Sequence, residues 1–195
     1  MAITYPLSLP THTGIRSVEL RATNAVAISQ SPFTFATQVH SYAGEQWQAF
    51  IELPPMHAAD AERWIAFLLS LRGQYGTFLL GDPLRTSPRG TATAATITGT
   101  SGSRSVTVAM TGTLLAGDYI QIGTGSDATL HKVLEDQSNG GTLEIWPALR
   151  KDRTGVAATL TNAKGLFRLF SNEQPWSINE ASVYGISFSA QEAIT

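Results

Sequence analysis

A chain of 195 residues with a hydrophobic fraction of 43% can bury a sizeable core, as one large β domain or two small ones, which excludes wholesale disorder. A formal net charge of −2 with scattered basic residues leaves no electrostatic footprint for nucleic acid, and the lack of cysteine excludes disulfides, zinc–thiolate sites and thiol catalysis. Charged residues make up 14%, against roughly 25% in ordinary soluble domains. So little charge suits a subunit that associates with copies of itself, and an extracellular-type β domain would share it.

The opening Met1-Ala-Ile-Thr-Tyr-Pro-Leu-Ser-Leu-Pro10 has no basic residue and no long apolar run, so neither a signal peptide nor an anchor is expected there. No later segment approaches the roughly 20 apolar residues of a membrane span, and membrane insertion is not expected.

Period-two alternation then dominates. Val18, Leu20 and Ala22 alternate with Ser17, Glu19 and Arg21, which predicts a strand with one buried face. Trp47, Ala49, Ile51 and Leu53 do the same. Phe50 falls on the nominally wet side, which predicts cover on both faces there. Between these runs, Phe33 to Tyr42 is predicted as a partner strand that turns back at Ala43-Gly44-Glu45, with the glycine supplying a positive φ.

Pro54-Pro55 ends the strand, and the period changes. Ala61, Trp64, Ile65, Leu68 and Leu71 form one apolar helical stripe. Asp60 and Glu62 in the first turn and Arg72 in the last suit the helix dipole, and Gly73 is a natural stop. The predicted helix runs from roughly His57 to Arg72 and lies across a sheet, burying Trp64 and Leu68. Gln74 to Pro83 reads as a short apolar strand closed by a turn, with Gly76 and Gly81 marking bends or close backbone approach.

From about Pro88 the texture becomes Thr-, Ala- and Gly-rich. Strands are predicted at Val106 to Met110, Asp118 to Ile122, Thr129 to Leu134 and Thr142 to Trp146, separated by glycine turns. Such spacing predicts a small β-barrel or sandwich of about five strands. The run Arg150-Lys151-Asp152-Arg153 reads as a solvated turn. Leu166 to Phe170, and the alternation of Tyr184, Ile186 and Phe188, end the chain on strands too few to bury a core alone. The predicted fold is therefore mainly β. A β-sandwich domain with one helix (1–87 plus 165–195) is interrupted by an inserted small β domain (88–164). Two consecutive domains are the alternative.

No catalytic constellation emerges. His12, His40, His57 and His131 lack the short spacings of a metal motif; His57 reads as a surface residue, and His131 as the wet face of a strand. Glu135-Asp136 reads as a solvated turn, and Gly81-Asp82 and Gly117-Asp118 as strand-flanking turns. Thr124-Gly-Ser-Asp127 lacks the lysine and following helix of a phosphate loop, and no Gly-x-Ser-x-Gly elbow is present. Neither an enzyme nor a cofactor nor a metal is expected. Trp47 and Trp64 belong to the predicted core. Trp146, before Pro147, and Trp176, after Pro175, are the candidate contacts with a partner or a glycan.

The runs Trp47-Gln-Ala-Phe-Ile-Glu-Leu-Pro-Pro-Met56, Ala61-Glu-Arg-Trp-Ile-Ala-Phe-Leu-Leu-Ser-Leu-Arg-Gly73 and Gly76-Thr-Phe-Leu-Leu-Gly-Asp-Pro83 resemble siphophage and prophage baseplate proteins of the distal-tail type. Leu115 to Gly123, Thr142 to Leu149 and Gly165 to Leu169 fit the same pattern, so the resemblance extends over most of the chain. It implies a homo-oligomeric ring, typically a hexamer, joining the tail tube to the tail tip or hub proteins in the virion. It also implies an outer β domain that can contact a host surface glycan. It carries no catalytic residues. The alternatives are a carbohydrate-binding adhesion module and another ring component of the tail, such as a tube or terminator subunit.

Overall fold

A computed structural model describes residues 3–11, 14–180 and 182–194; His12 lies outside them. The fold is mainly β with one helix. The alternating run that begins at Ser17 becomes a strand of 14 residues, β1 (Ser17–Gln30), paired antiparallel with the 16-residue β2 (Thr37–Glu52). The reversal expected at Ala43-Gly44-Glu45 does not occur. The chain turns instead at Ser31–Ala36, where the Phe35 amide donates to the Ser31 carbonyl at 2.9 Å and Phe35 takes a φ of 55°. Gly44 lies inside β2, beside a register shift between Asn24 and Val26 of β1. It is not needed for a positive φ; a Cβ there would stand 2.9 Å from the Ala25 Cβ. Close strand approach at a bulge, not a turn, requires the glycine.

After the two prolines, the short β3 (Met56–His57) leads into α1 (Ala58–Ser70). The helix buries Ala61, Trp64, Ile65, Phe67 and Leu68, and Leu71 at its C-cap is also buried, so Phe67 is the one addition to the predicted stripe. Each large side chain so buried contributes roughly 2 kcal/mol. Only Asp60 lies in the first turn, and Arg72 falls beyond the end, where Arg72 and Gly73 adopt φ values of 52° and 65° and reverse the chain. His57 is exposed at the N-cap.

The strand β4 (Phe78–Leu80) completes the first passage through the sheet. The chain returns to it with β13 (Gly165–Leu169), β14 (Trp176–Ile178) and β15 (Val183–Glu192). The main order is β1-β2-β15-β13-β4, so the C-terminal strands sit in the middle of a sheet begun by the N-terminal ones. The first part of β15 also pairs with β3 and β14. One core is shared by α1 and the sheet, with Phe78 in contact with Phe67, Phe167 and Phe188 at ring separations of 5.7, 6.5 and 6.3 Å. Phe50 is 38% exposed, so the expected cover over both faces of β2 is absent in the single chain.

Between β4 and β13 the chain forms a closed six-stranded barrel of β5 (Ala95–Gly99), β6 (Ser105–Met110), β8 (Tyr119–Ile122), β9 (Thr129–Val133), β11 (Gly141–Trp146) and β12 (Arg153–Thr159). Their order around it is β11-β6-β5-β12-β8-β9. Two further short strands, β7 (Thr113–Leu114) and β10 (Gln137–Ser138), pair with each other. The barrel gains β5 and β12 over the sequence reading. Apart from Arg153 at the start of β12, both are made of small or β-branched residues around one larger apolar side chain each, Ile97 and Val156. Closure abolishes the edges that such short strands would otherwise expose.

Two expectations about polar residues are corrected. His131 is fully buried: its Nδ1 meets the Pro147 carbonyl at 2.7 Å and its Nε2 meets Thr129 Oγ1 at 2.9 Å. It shares a strand face with Val133 and stands opposite Ile120, both in the barrel core. The Arg150–Arg153 run is not uniformly solvated either. Arg150 and Arg153 are largely buried and paired with Glu192 and Asp127, while Lys151 reaches Asp127 at 3.0 Å.

Candidate assembly surface

The barrel is held to the sheet by a buried polar network. Glu45 on β2 accepts from Arg104 Nε at 2.7 Å and from the Ala148 amide at 2.6 Å. Glu192 on β15 accepts from Arg150 Nε and Nη2 at 3.0 and 2.7 Å and from the Trp47 amide at 3.1 Å. Trp47 adds an indole bond to the Leu130 carbonyl at 2.9 Å. Every carboxylate oxygen is thus paired, the condition under which buried charge is tolerated.

Trp146 belongs to this junction. It is half-buried, its ring meets Trp47 edge-on at 4.5 Å, and its Nε1 donates to Asn24 Oδ1 at 2.8 Å. Trp176, 40% exposed, stands on β14 opposite Ile186. The two tryptophans are not brought together. Trp146 packs on Trp47, whereas Trp176 stands opposite Ile186, whose carbonyl accepts from the Leu53 amide, and Trp47 and Leu53 are about 20 Å apart along an extended chain.

Beyond this junction β1 and β2 leave the core as a two-stranded arm. From Asn24 to Gly44 no residue is buried, and Val26 stands opposite Ser41, Ile28 opposite Val39 and Gln30 opposite Thr37. Val26, Ile28 and Val39 form one exposed apolar face, His40 and Tyr42 meet edge-on at 4.6 Å on β2, alternating with Val39, and Phe33 and Phe35 sit at the tip, 91% and 73% exposed. No Asp, Glu, Lys or Arg occurs from Ala25 through Gly44. An uncharged, aromatic-tipped segment in full contact with water is a poor solution for a free surface, and a two-stranded hairpin in water is marginal by itself. That charge-free run was visible in the sequence, but reading Gly44 as a turn broke the arm in two.

The edges of the main sheet are also unequal. Leu7 bridges Phe78 in parallel, covering part of the β4 edge with the chain's own N-terminal segment. Among the described residues no strand pairs with the outer edge of β1. Long bare edges template pairing with another chain.

The remaining electrostatics are local. Glu19 and Arg21 pair at 2.8 Å on β1, with the arginine lowering the carboxyl pKa and the carboxylate raising that of the guanidinium. Burial pushes the His131 pKa down to about 4; the Pro147 carbonyl opposes the shift, and Arg150 and Arg153 reinforce it. Because that carbonyl can only accept, the neutral ring carries its proton on Nδ1. Asp118, buried beside Arg89, accepts the amides of Arg89, Gly90 and Leu115 and so organises a turn. Among the described residues, no group of three or more His, Asp and Glu is placed to share a metal ion, and no helix is long and apolar enough to cross a membrane.

The chain matches no protein-family model and no curated protein sequence.

Proposed function

We propose that this chain is a structural subunit of a phage tail baseplate, a distal-tail type protein that closes into a ring, typically of six copies. The ring connects the tail tube to the tip and serves as an assembly hub in the virion, and the chain is not an enzyme. The observation that carries the reading is the exposed, charge-free arm with two phenylalanines at its tip. The bare β1 edge and the resemblance of the helix and its flanking strands to distal-tail proteins support it. In a ring each copy supplies what its neighbour lacks, so edges and apolar faces disappear without any further protein. The barrel, fixed to the sheet by Glu45, Glu192 and Arg150, acts as a platform on the outside of the ring.

Electron microscopy of the purified chain tests this. Closed rings of uniform diameter are expected; a field of isolated small particles at every concentration would overturn it.

A second reading, a carbohydrate-binding adhesion module, has one observation in its favour: the exposed Trp176 beside Ile178, itself 57% exposed. Binding on a glycan array that Trp176→Ala abolishes would support it, and an array without signal would dismiss it.

A further inference from the structure

The support of β2 changes just before the arm begins. β15 pairs with β2 from Glu52 only as far as Gln48, which stands opposite Gln191. Beyond Gln48 the partner strand left to β2 is β1, and a ladder of two strands is marginal by itself. The backbone groups of β2 on the side vacated by β15 are nevertheless occupied. The Trp47 amide donates to Glu192 Oε2 at 3.1 Å, and the Glu45 carbonyl accepts from Arg150 Nη2 at 2.7 Å. The buried Arg150–Glu192 pair thus takes over from a strand where the strand has ended.

Four bonds from the barrel converge on the next pair of the ladder, Asn24 opposite Glu45. Trp146 Nε1 donates to Asn24 Oδ1 at 2.8 Å, and Arg104 Nε and the Ala148 amide donate to the two carboxylate oxygens of Glu45 at 2.7 and 2.6 Å. Arg150 supplies the fourth, to the Glu45 carbonyl. These donors are themselves tied together. The Ile145 amide donates to the Arg104 carbonyl at 2.8 Å, and the fully buried His131 holds the carbonyl of Pro147, between Trp146 and Ala148. Immediately beyond, the register shifts, leaving Ala25 opposite Tyr42, Ala43 and Gly44. Among the described residues, no side chain from Ala25 through Gly44 hydrogen-bonds outside that segment. The course of the arm is therefore settled at its root, where a bulge bends and twists the strands that enter it.

We propose that the barrel is the mount of the arm: the grip of Trp146, Arg104, Ala148 and Arg150 on Asn24 and Glu45 sets the direction in which the arm leaves the core. The device lies within one chain and does not depend on the ring.

Single-molecule energy transfer tests it on the full chain, at a dilution where each copy is alone. The absence of native cysteine allows dyes at Thr34→Cys, in the arm tip, and Thr154→Cys, on the barrel; both positions are exposed. The labelled parent is expected to give one narrow transfer efficiency. Asn24→Ala with Arg104→Ala removes two of the four bonds from exposed side chains and should shift that efficiency or widen its distribution about twofold, because nothing else orders the arm. Asn24→Ala alone leaves Glu45 fully paired, does not endanger the fold, and should give part of the effect. Lys151→Ala, which breaks the barrel's ion pair with Asp127 away from the root, should leave the efficiency as in the parent. A double variant and an Asn24→Ala variant both indistinguishable from the parent would overturn the proposal, and so would a control that changes as much as they do.

Discussion

Arg150, in the segment that joins β11 to β12, and Glu192, at the end of β15, meet at 2.7 Å with 11% and 4% of their side chains exposed. The same carboxylate receives the Trp47 amide, so one acid ties the barrel to two strands of the sheet. Breaking such a pair leaves a buried charge without its partner. Glu192→Ala is expected to lower the unfolding free energy by about 3 kcal/mol, and Glu192→Gln by less, because it still accepts hydrogen bonds. Denaturant titration followed by tryptophan fluorescence reads this, and an unchanged midpoint would refute it.

His131 makes stability depend on pH. Its folded pKa, about 4, lies below the 6.5 of an ordinary histidine, so the unfolded chain binds the proton first as pH falls. The stabilisation is complete above pH 6.5 and is lost progressively down to pH 4. A tenfold in proton affinity is worth about 1.4 kcal/mol, so the loss is on the order of 3 kcal/mol. His131→Gln, compared with the parent chain at pH 7, 5 and 4, should flatten that part of the profile; parallel profiles would contradict the assignment.

The two candidate tryptophans separate by stability. Trp146→Ala removes the edge contact to Trp47 and the bond to Asn24, and should cost about 2 kcal/mol. Trp176→Ala on the exposed β14 should change stability by less than about 0.5 kcal/mol. Thermal denaturation of both variants checks this, and equal losses would show that Trp176 is also structural.

Gly44 tests the origin of the arm. Gly44→Ala places a methyl group against the Ala25 Cβ and should part the strands at the bulge, reducing assembly while leaving the core's melting temperature in place. Adding Ala25→Gly removes the opposing methyl and should restore assembly. Failure of the second change to rescue would mean that the contact is not what requires glycine.

How much of this was legible follows from which periodicities were clean. The stripe Ala61–Trp64–Ile65–Leu68–Leu71 faces one core only, and its helix stands where the sequence puts it, two residues shorter at the C-terminal end. The alternation of Ile186 and Phe188 likewise returns β15 to the sheet begun by β2. The reading failed where a strand is buried on both faces. In β8, Tyr119 packs into the sheet core while Ile120 packs into the barrel, and in β9 Leu130 and Val133 divide in the same way. Alternation carries no information there, and His131 was assigned to water. It failed again where a glycine serves contact: Gly44 looks the same in sequence whether it turns the chain or lets two strands close. The buried partners of Arg150 and Arg153 were beyond reach because Glu192 and Asp127 are distant in sequence. Trp176 was legible as exposed; Trp146 was not legible as half-buried, since its cover comes from Trp47 and Asn24.

Native mass measurement of two proteins decides whether copies of this chain assemble through the arm. One is the full chain of 20.9 kDa; the other has Ala25 to Gly44 replaced by a short turn. A full-chain species near 125 kDa, six times the chain mass, with a folded but monomeric arm-shortened variant, is predicted. A full chain that remains at 20.9 kDa, or a shortened one that assembles as well as its parent, would contradict the account.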